Sequence, residues 1–390
     1  MEINSPAQVR HPHLGLENRH QPTKDGNNFS EQIYKNEIPD FVEENLERLY
    51  ANVYCTLARI DAYDSLNNVS TYVQKSGSDI TAIILFKDEG TAVRVINQQI
   101  PLSPEQIAAF CKKIFKELKH VQNIQFYALN THLDIFPFPY QQVPAIHENI
   151  IFLPSHKDAY LASLRGYFRN PLLASIRKIK ADHPTYKLEY FSRDTIPAHV
   201  IDQILELARK RAISRAGAIY TDSIDRIALA KTLQRYGQVA IATINGEICA
   251  GSIWFNVGKR HFHYIVAYDS TYNKYVLGNQ IWLEAILRTL DLDGDEVWLM
   301  GGFSEHKAKF QAKPHVFRTI AIYKSRLHCF TNWGTFSRHW IQQQRLSIKT
   351  TGKALASRKD FVGRIAGAVL SISDVTHARG KRDNVKKEGS

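Results

Sequence analysis

The sequence predicts an α+β protein built as two related units. Three observations carry that expectation. The chain has 390 residues, and domains usually run to about 100–200 residues, so two is the natural number. Hydrophobic residues make up 44% and charged residues 23%, a globular composition with ample apolar material for a core. The order hairpin, helix, strand occurs in both halves, without a repeat at the level of residues.

Residues 1–43 are rich in His, Asn, Pro and Gln and lack apolar periodicity, so they read as a mobile N-terminal arm. Helical spacing begins near Phe41, carried by Leu46, Leu49, Tyr50, Val53 and Tyr54. DITAIILF at 79–86 and TAVRVI at 91–96 flank the turn Lys87-Asp88-Glu89-Gly90, which makes a hairpin. Ser103-Pro104-Glu105-Gln106 has Ser at N-cap, Pro at N1 and Gln at N3, a capping-box signature. Ile107, Phe110, Cys111, Ile114, Phe115 and Leu118 are that helix's apolar stripe. NIQFYAL at 123–129 is the strand after it. Residues 131–147 contain DIFPFPYQQVP and read as a linker. The expected organisation is therefore an arm over 1–43, domains over 44–149 and 150–345, and a basic tail over 346–390.

In the second half, 157–169 and 171–181 read as basic helices parted at Asn170-Pro171. A short strand, Leu188 to Phe191, and a long helix over about 197–213 follow. Val239–Ile244 and Ile248–Phe255 flank Asn245-Gly246, the strongest short hairpin signal, and His261–Tyr268 is a third strand. A polar loop leads to Gly278 and a helix over 279–290. Val297–Met300 is a strand broken by Gly301-Gly302, and Val316–Tyr323 is the last strand.

Fifty Lys and Arg against 38 Asp and Glu give a net charge of +12. Residues 345–390 carry +7 of it and 157–193 carry +5. Basic segments suit phosphates: nucleic acid, an anionic membrane, nucleotide-linked sugars or coenzyme A. Phe361–Leu370 and the basic end after it form a short amphipathic candidate for peripheral contact with anionic lipid. No window approaches 18 consecutive apolar residues, and the N-terminus shows no apolar stretch of a secretory signal, so a cytoplasmic protein is expected. Cys55, Cys111, Cys249 and Cys329 form no CxxC pair, which argues for reduced thiols rather than a zinc ribbon or a disulfide framework. The histidines form no metal-ligand constellation, so no metal is expected.

Three stretches carry a family resemblance: LASLRGYFRNPLLASIRKIK at 161–180, YDSTYNKYVLGNQIWLEAI at 268–286, and LMGGFSEHKAKFQA at 299–312. With the element order around them, residues 150–324 resemble the GNAT-type N-acyltransferases. They resemble more closely the second domain of FemAB-like proteins and of cellulose-biosynthesis-type acetyltransferases. The resemblance implies two tandem GNAT-like domains, each a mixed, mostly antiparallel sheet flanked by helices. It implies transfer of an acyl group from acyl-coenzyme A to an amine or hydroxyl. For the acceptor it implies a nucleotide- or lipid-linked sugar in cell-surface polysaccharide synthesis. Within the family the alternative is aminoacyl-tRNA-dependent extension of a peptidoglycan precursor, with nucleic acid as a partner. Outside it, the alternative is a non-catalytic binding protein with a degenerate donor site.

Acyl transfer to an amine needs a phosphate cradle, for which Lys274, Leu277, Gly278 and Asn279 at the start of a helix are candidates. The usual glycine pattern of that cradle is kept at Gly278 alone. The acyl carbonyl is polarised beside a strand bulge, which the resemblance places at Val266–Tyr268. A base must take the proton of an alkylammonium, and Glu305, His306 and His263 are the candidates. His261 and His263 share one strand face, which also describes a surface strand. Tyr268 and Lys307 are candidates for stabilising the leaving group or oxyanion, the Lys307–Phe310 spacing being part of the family motif. Arg165, Arg169, Arg177 and Lys178 are candidates for holding an acceptor phosphate.

Overall fold

The computed structural model describes residues 29–216, 224–300 and 305–331. Its first elements are β1 (Phe29–Tyr34), α1 (Val42–Tyr50) and α2 (Leu57–Tyr63). β2 (Val69–Ser76), β3 (Asp79–Asp88) and β4 (Ala92–Val95) form an antiparallel meander. α3 (Pro104–Glu117) then crosses over, and β5 (Asn123–Leu129) lies parallel to β4. The capping box at Ser103 and Gln106 forms as its sequence requires.

After β6 (Tyr140–Phe152), α4 (Lys157–Ser163) and α5 (Gly166–Asp182), the same succession returns. It runs β7 (Lys187–Ser192), α6 (Ala198–Ala216), α7 (Arg226–Tyr236), then the meander β8 (Gly237–Ile244), β9 (Glu247–Val257), β10 (Arg260–Tyr268). α8 (Leu277–Asp291) leads to β11 (Glu296–Trp298), parallel to β10. α9 (Glu305–Lys309), β12 (Lys313–Tyr323) and α10 (Arg326–Thr331) follow. Asn245 and Gly246 both take positive φ, 53° and 82°, as a two-residue type I′ turn requires.

Both units share one twelve-stranded sheet, in the order β1-β2-β3-β4-β5-β12-β6-β11-β10-β9-β8-β7. The middle of that order explains the architecture. β6 follows the first unit in the chain but pairs with β11 of the second. β12 follows the second unit but pairs with β5 of the first, and β6 and β12 pair with each other. Each unit therefore lends a strand to the other. β8 is buried along its whole length because both faces are covered. Val239 and Ile241 pack with α6 and α7, while Ala240, Ala242 and Ile244 pack with α8.

Several elements depart from the sequence reading. Residues 29–34 of the expected arm form β1 by pairing with β2, and α1 begins at Val42. The Pro- and aromatic-rich stretch at 140–147 is strand rather than linker, and β6 runs through residues 149 and 150, where the domain boundary was expected. A register shift opposite Phe317 and Arg318 lets β6 carry Pro144, which has no N–H for the ladder. α5 continues through Pro171, and the break falls at Leu164–Arg165 instead. β2, α2 and α7 had no clear apolar pattern and were not anticipated. Gly301-Gly302, Phe361–Leu370 and the tail 346–390 lie outside the described residues.

Candidate active site

β10 and β11 pair only from Arg260–Phe262 against Glu296–Trp298, and beyond that point the two parallel strands no longer pair. β10 carries a bulge between His263 and Ile265. The bulge reverses which residues face which side. Before it, Phe262 packs with the α6–α7 core; after it, Ile265 and Ala267 do. Val266 and Tyr268 are thereby turned to the α8 face, where both pack with the core beneath that helix. The bulge expected at Val266–Tyr268 therefore lies a little earlier, and it aims those two side chains.

They line a cleft of about 690 Å³ together with Arg211, Asn273, Val276, Gly278, Asn279, Trp282 and His306. None of the nine lining residues is acidic. α8 begins at the cleft. Val276 caps it with φ 49° and no side-chain bond, and the Val276 carbonyl takes Asn279 N–H and Gln280 N–H. The first N–H groups of the helix, at Leu277 and Gly278, have no intrahelical acceptor and carry the positive end of its dipole. Gly278 is required by close packing: a Cβ there would lie 2.4 Å from Cε1 of Tyr268. The Arg211 guanidinium lies 4.2 Å from the Tyr268 ring centroid and donates to the Val266 carbonyl. Trp282 is 9% exposed, and its Nε1–H has no hydrogen-bond partner. The cleft thus presents unmade donors and a cation, and these residues fit an anionic or carbonyl-bearing ligand.

α9 closes one side. His306 stacks on Trp282 at 5.2 Å and 10°, and Phe310 meets both rings edge-on. Phe310 is fully buried and its carbonyl accepts from Tyr160 Oη at 3.2 Å. Phe310 anchors the turn, and Lys307 sits three residues before it. The Lys307 Nζ donates to the Met300 carbonyl at 2.7 Å. Burial holds this amine below the usual lysine range, opposed by the charge of Glu148. Glu148, on β6, is 3% exposed. Burial pushes its carboxyl up to about 7, while Lys307 and a 3.5 Å bond from Gln99 Nε2 pull the other way. A carboxyl and an amine, each displaced toward neutrality by burial and coupled to one another, are suited to moving a proton near neutral pH.

No protein-family model matches the chain, and no curated protein matches it. Solved structures do resemble it. FemX superposes with a TM-score of 0.53 at 7% identity, covering 74% of this chain and 96% of that one. The chain has a tandem GNAT fold. A conserved protein of unknown function from Bacteroides thetaiotaomicron VPI-5482 superposes at 0.49 and 14% identity, covering 75% of this chain and 100% of that one. A tandem GNAT protein from the clavulanic acid biosynthesis pathway superposes at 0.38 and 11% identity, covering 75% and 98%.

Of the residues singled out by sequence, the tandem GNAT frame brings Tyr268, Gly278, Asn279 and His306 to the cleft wall. Leu277 lies beneath it, fully buried, and Lys307 is reached through α9. Lys274 does not line the cleft; its amine lies 4.7 Å from the Tyr275 ring centroid. Glu305 is exposed at the start of α9 and does not line it either. His263 is 3% exposed and stacks on Trp254, so neither the surface-strand reading nor a role as exposed base fits it. Arg165, Arg169, Arg177 and Lys178 do not line the cleft. Arg169 donates to the Leu161 carbonyl, and Lys178 pairs with Asp182 at 3.3 Å. The sequence reading missed Arg211, Trp282 and Glu148. Glu148 did leave a signal: a lone acid two residues before the apolar run Ile150-Ile151-Phe152. Among the described residues no group of three or more His, Cys, Asp or Glu is placed to hold a metal ion. Among them no helix is long and apolar enough to cross a membrane.

Proposed function

We propose that the chain is an acyltransferase that moves an acyl group from acyl-coenzyme A to an amine. The observation that carries this reading is the cleft between β10 and α8, which has no acidic side chain among its described lining residues and is lined by unmade donors. An acyl thioester supplies an activated carbonyl. The α8 N-terminus, Asn279 and Arg211 are the groups that would hold the donor's phosphates. Trp282 Nε1–H and the backbone freed where β10 and β11 part would stabilise the carbonyl. Lys307, desolvated and coupled to Glu148, would hold or pass a proton there.

The acceptor expected from the sequence is a nucleotide- or lipid-linked sugar whose phosphates are held by basic helices. Arg165, Arg177 and Lys178 are exposed on or beside α5 and do not line the cleft, so nothing at the cleft supports that acceptor. Their exposure favours a second reading, in which the donor is an aminoacyl-tRNA and this basic face meets its phosphate backbone.

Thermal unfolding with acetyl-coenzyme A, longer acyl-coenzyme A species or bulk aminoacylated tRNA, at two salt concentrations, separates the readings. A ligand at one hundred times its Kd stabilises by about 2.7 kcal/mol. A salt-insensitive shift with one acyl-coenzyme A supports the first reading. A shift with tRNA alone, lost as salt rises, supports the second. No shift with any of them contradicts both.

A further inference from the structure

α8 begins without a cap of its own. Val276, its N-cap residue, has no capping side-chain bond and takes the left-handed conformation at φ 49°. For a β-branched residue that conformation is costly, and it persists only where the surroundings impose it. Here they come from α5. Tyr275, the residue before Val276, is fully buried and is held at both ends by that helix. Its carbonyl accepts from Ser175 Oγ. Its hydroxyl donates to Asp182 Oδ2 at 2.7 Å, with His183 Nε2 3.2 Å away. This bond, together with Lys178, holds the Asp182 carboxyl below the usual carboxylate range. Ser175 and Asp182 are two turns apart on one face of α5, about 10 Å along its axis, and Tyr275 bridges them. Gln280, in the first turn of α8 and 1% exposed, closes the network. Its Nε2 donates to the same Tyr275 carbonyl at 2.8 Å and to Ser175 Oγ at 3.1 Å. The Tyr275 ring shares an apolar cluster with Ile179 of α5 and with Leu277 and Ile281 of α8.

We infer that Ser175, Asp182 and Tyr275 are positioning residues of the cleft. Through them α5 holds the start of α8 in a strained, uncapped form. The peptide joining Tyr275 to Val276 is fixed by the two donors on its carbonyl, so Val276 stays left-handed. The N–H groups of Leu277 and Gly278 are then left for an anionic ligand, where a capping side chain would have taken one of them. That this ligand is the phosphate of an acyl donor rests on the acyltransferase reading; the clasp itself does not. α5 thus serves the cleft through Ser175 and Asp182 rather than through its exposed cations Arg177 and Lys178.

The test uses the full chain with Ser175→Ala, Ser175→Thr and Tyr275→Phe. The last removes one oxygen and keeps the buried ring. Without ligand, amide hydrogen exchange at residues 277–280 is expected to speed up about fivefold or more in Ser175→Ala and Tyr275→Phe. It is expected to keep the parent's rate at 264–268, and throughout in Ser175→Thr, which retains the hydroxyl. Coenzyme A affinity, by titration calorimetry, is expected to fall about tenfold in Ser175→Ala and Tyr275→Phe and to match the parent's in Ser175→Thr. Melting temperatures of all three should stay close to the parent's. Unchanged exchange at 277–280 in both Ser175→Ala and Tyr275→Phe overturns the inference. So does a Ser175→Thr no better than Ser175→Ala, or unchanged affinity in both weakened variants of a parent that binds coenzyme A. A parent that does not bind coenzyme A, with exchange rising as expected in the variants, would remove the acyl-coenzyme A reading and leave the clasp standing.

Discussion

His261 and His263 sit uncharged beneath α8, so acid acts against the fold there. His261 Nδ1 accepts from Trp254 Nε1 at 3.1 Å, and both nitrogens of His263 lack partners. Burial lowers His261 to about 4, and burial with His261 beside it lowers His263 to about 3. An unfolded chain protonates these rings as pH falls through about 6.5, whereas the folded chain resists until much lower. Stability is therefore complete above about 6.5 and lost progressively toward pH 4, by roughly 3 kcal/mol for His261 alone. Glu148 has the opposite sign: its raised value favours the folded chain in acid and costs stability as pH rises from about 4.5 through 7. Urea midpoints at pH 7 and 4.5 measure the sum, and His263→Leu is expected to shrink the acid loss. An undiminished loss in that variant would mean His263 is not the buried neutral group described. A second residue prediction concerns Gly278. In Gly278→Ala the new Cβ collides with Tyr268, so the ring must swing into the cleft. Donor affinity should drop tenfold or more while the melting temperature changes little, as read by calorimetry.

At the scale of elements, α9 is a short helix anchored by the buried Phe310 that follows it. Phe310→Ala removes a fully buried aromatic, which typically costs about 3–5 kcal/mol. It should also release His306 and Lys307 from their places. Lys307→Ala is expected to lower turnover about a hundredfold while leaving the melting curve unchanged. Turnover equal to the parent's would make Lys307 an ordinary loop lysine. The place of Phe310 was legible because an aromatic three residues after Lys307 is the apolar anchor of a short turn. The capping box of α3 and the type I′ turn of β8–β9 were legible because local chemistry alone decides them. β6 was not, because Pro144 and its aromatic neighbours read as loop until β12 pairs with them and the bulge absorbs the proline. Arg211 and Glu148 were invisible for a related reason. Each is an ordinary residue on its own element; β10's bulge turns Tyr268 against Arg211, and the strand exchange sets Glu148 opposite His315 of β12.

For the whole molecule, the strand exchange sets the cooperativity. The unit ending at β5 lacks an edge partner without β12, and β11 lacks one without β6. Residues 29–153 and 154–331 expressed separately should each be insoluble or unfolded, and co-expressed they should pair as one species in size-exclusion chromatography. Two separately folded monomers would show that the units are independent. The two-unit organisation was visible in the repeated element order, while the exchange was not, since it depends on pairings between residues over a hundred positions apart. The central claim is that an acyl donor occupies the cleft between β10 and the start of α8. Amide hydrogen exchange with and without saturating acetyl-coenzyme A tests it most directly. Slowed exchange is expected at residues 264–268 and 276–280, with little change around β2 and β3. Slowed exchange confined to the first unit, or none anywhere, would contradict it.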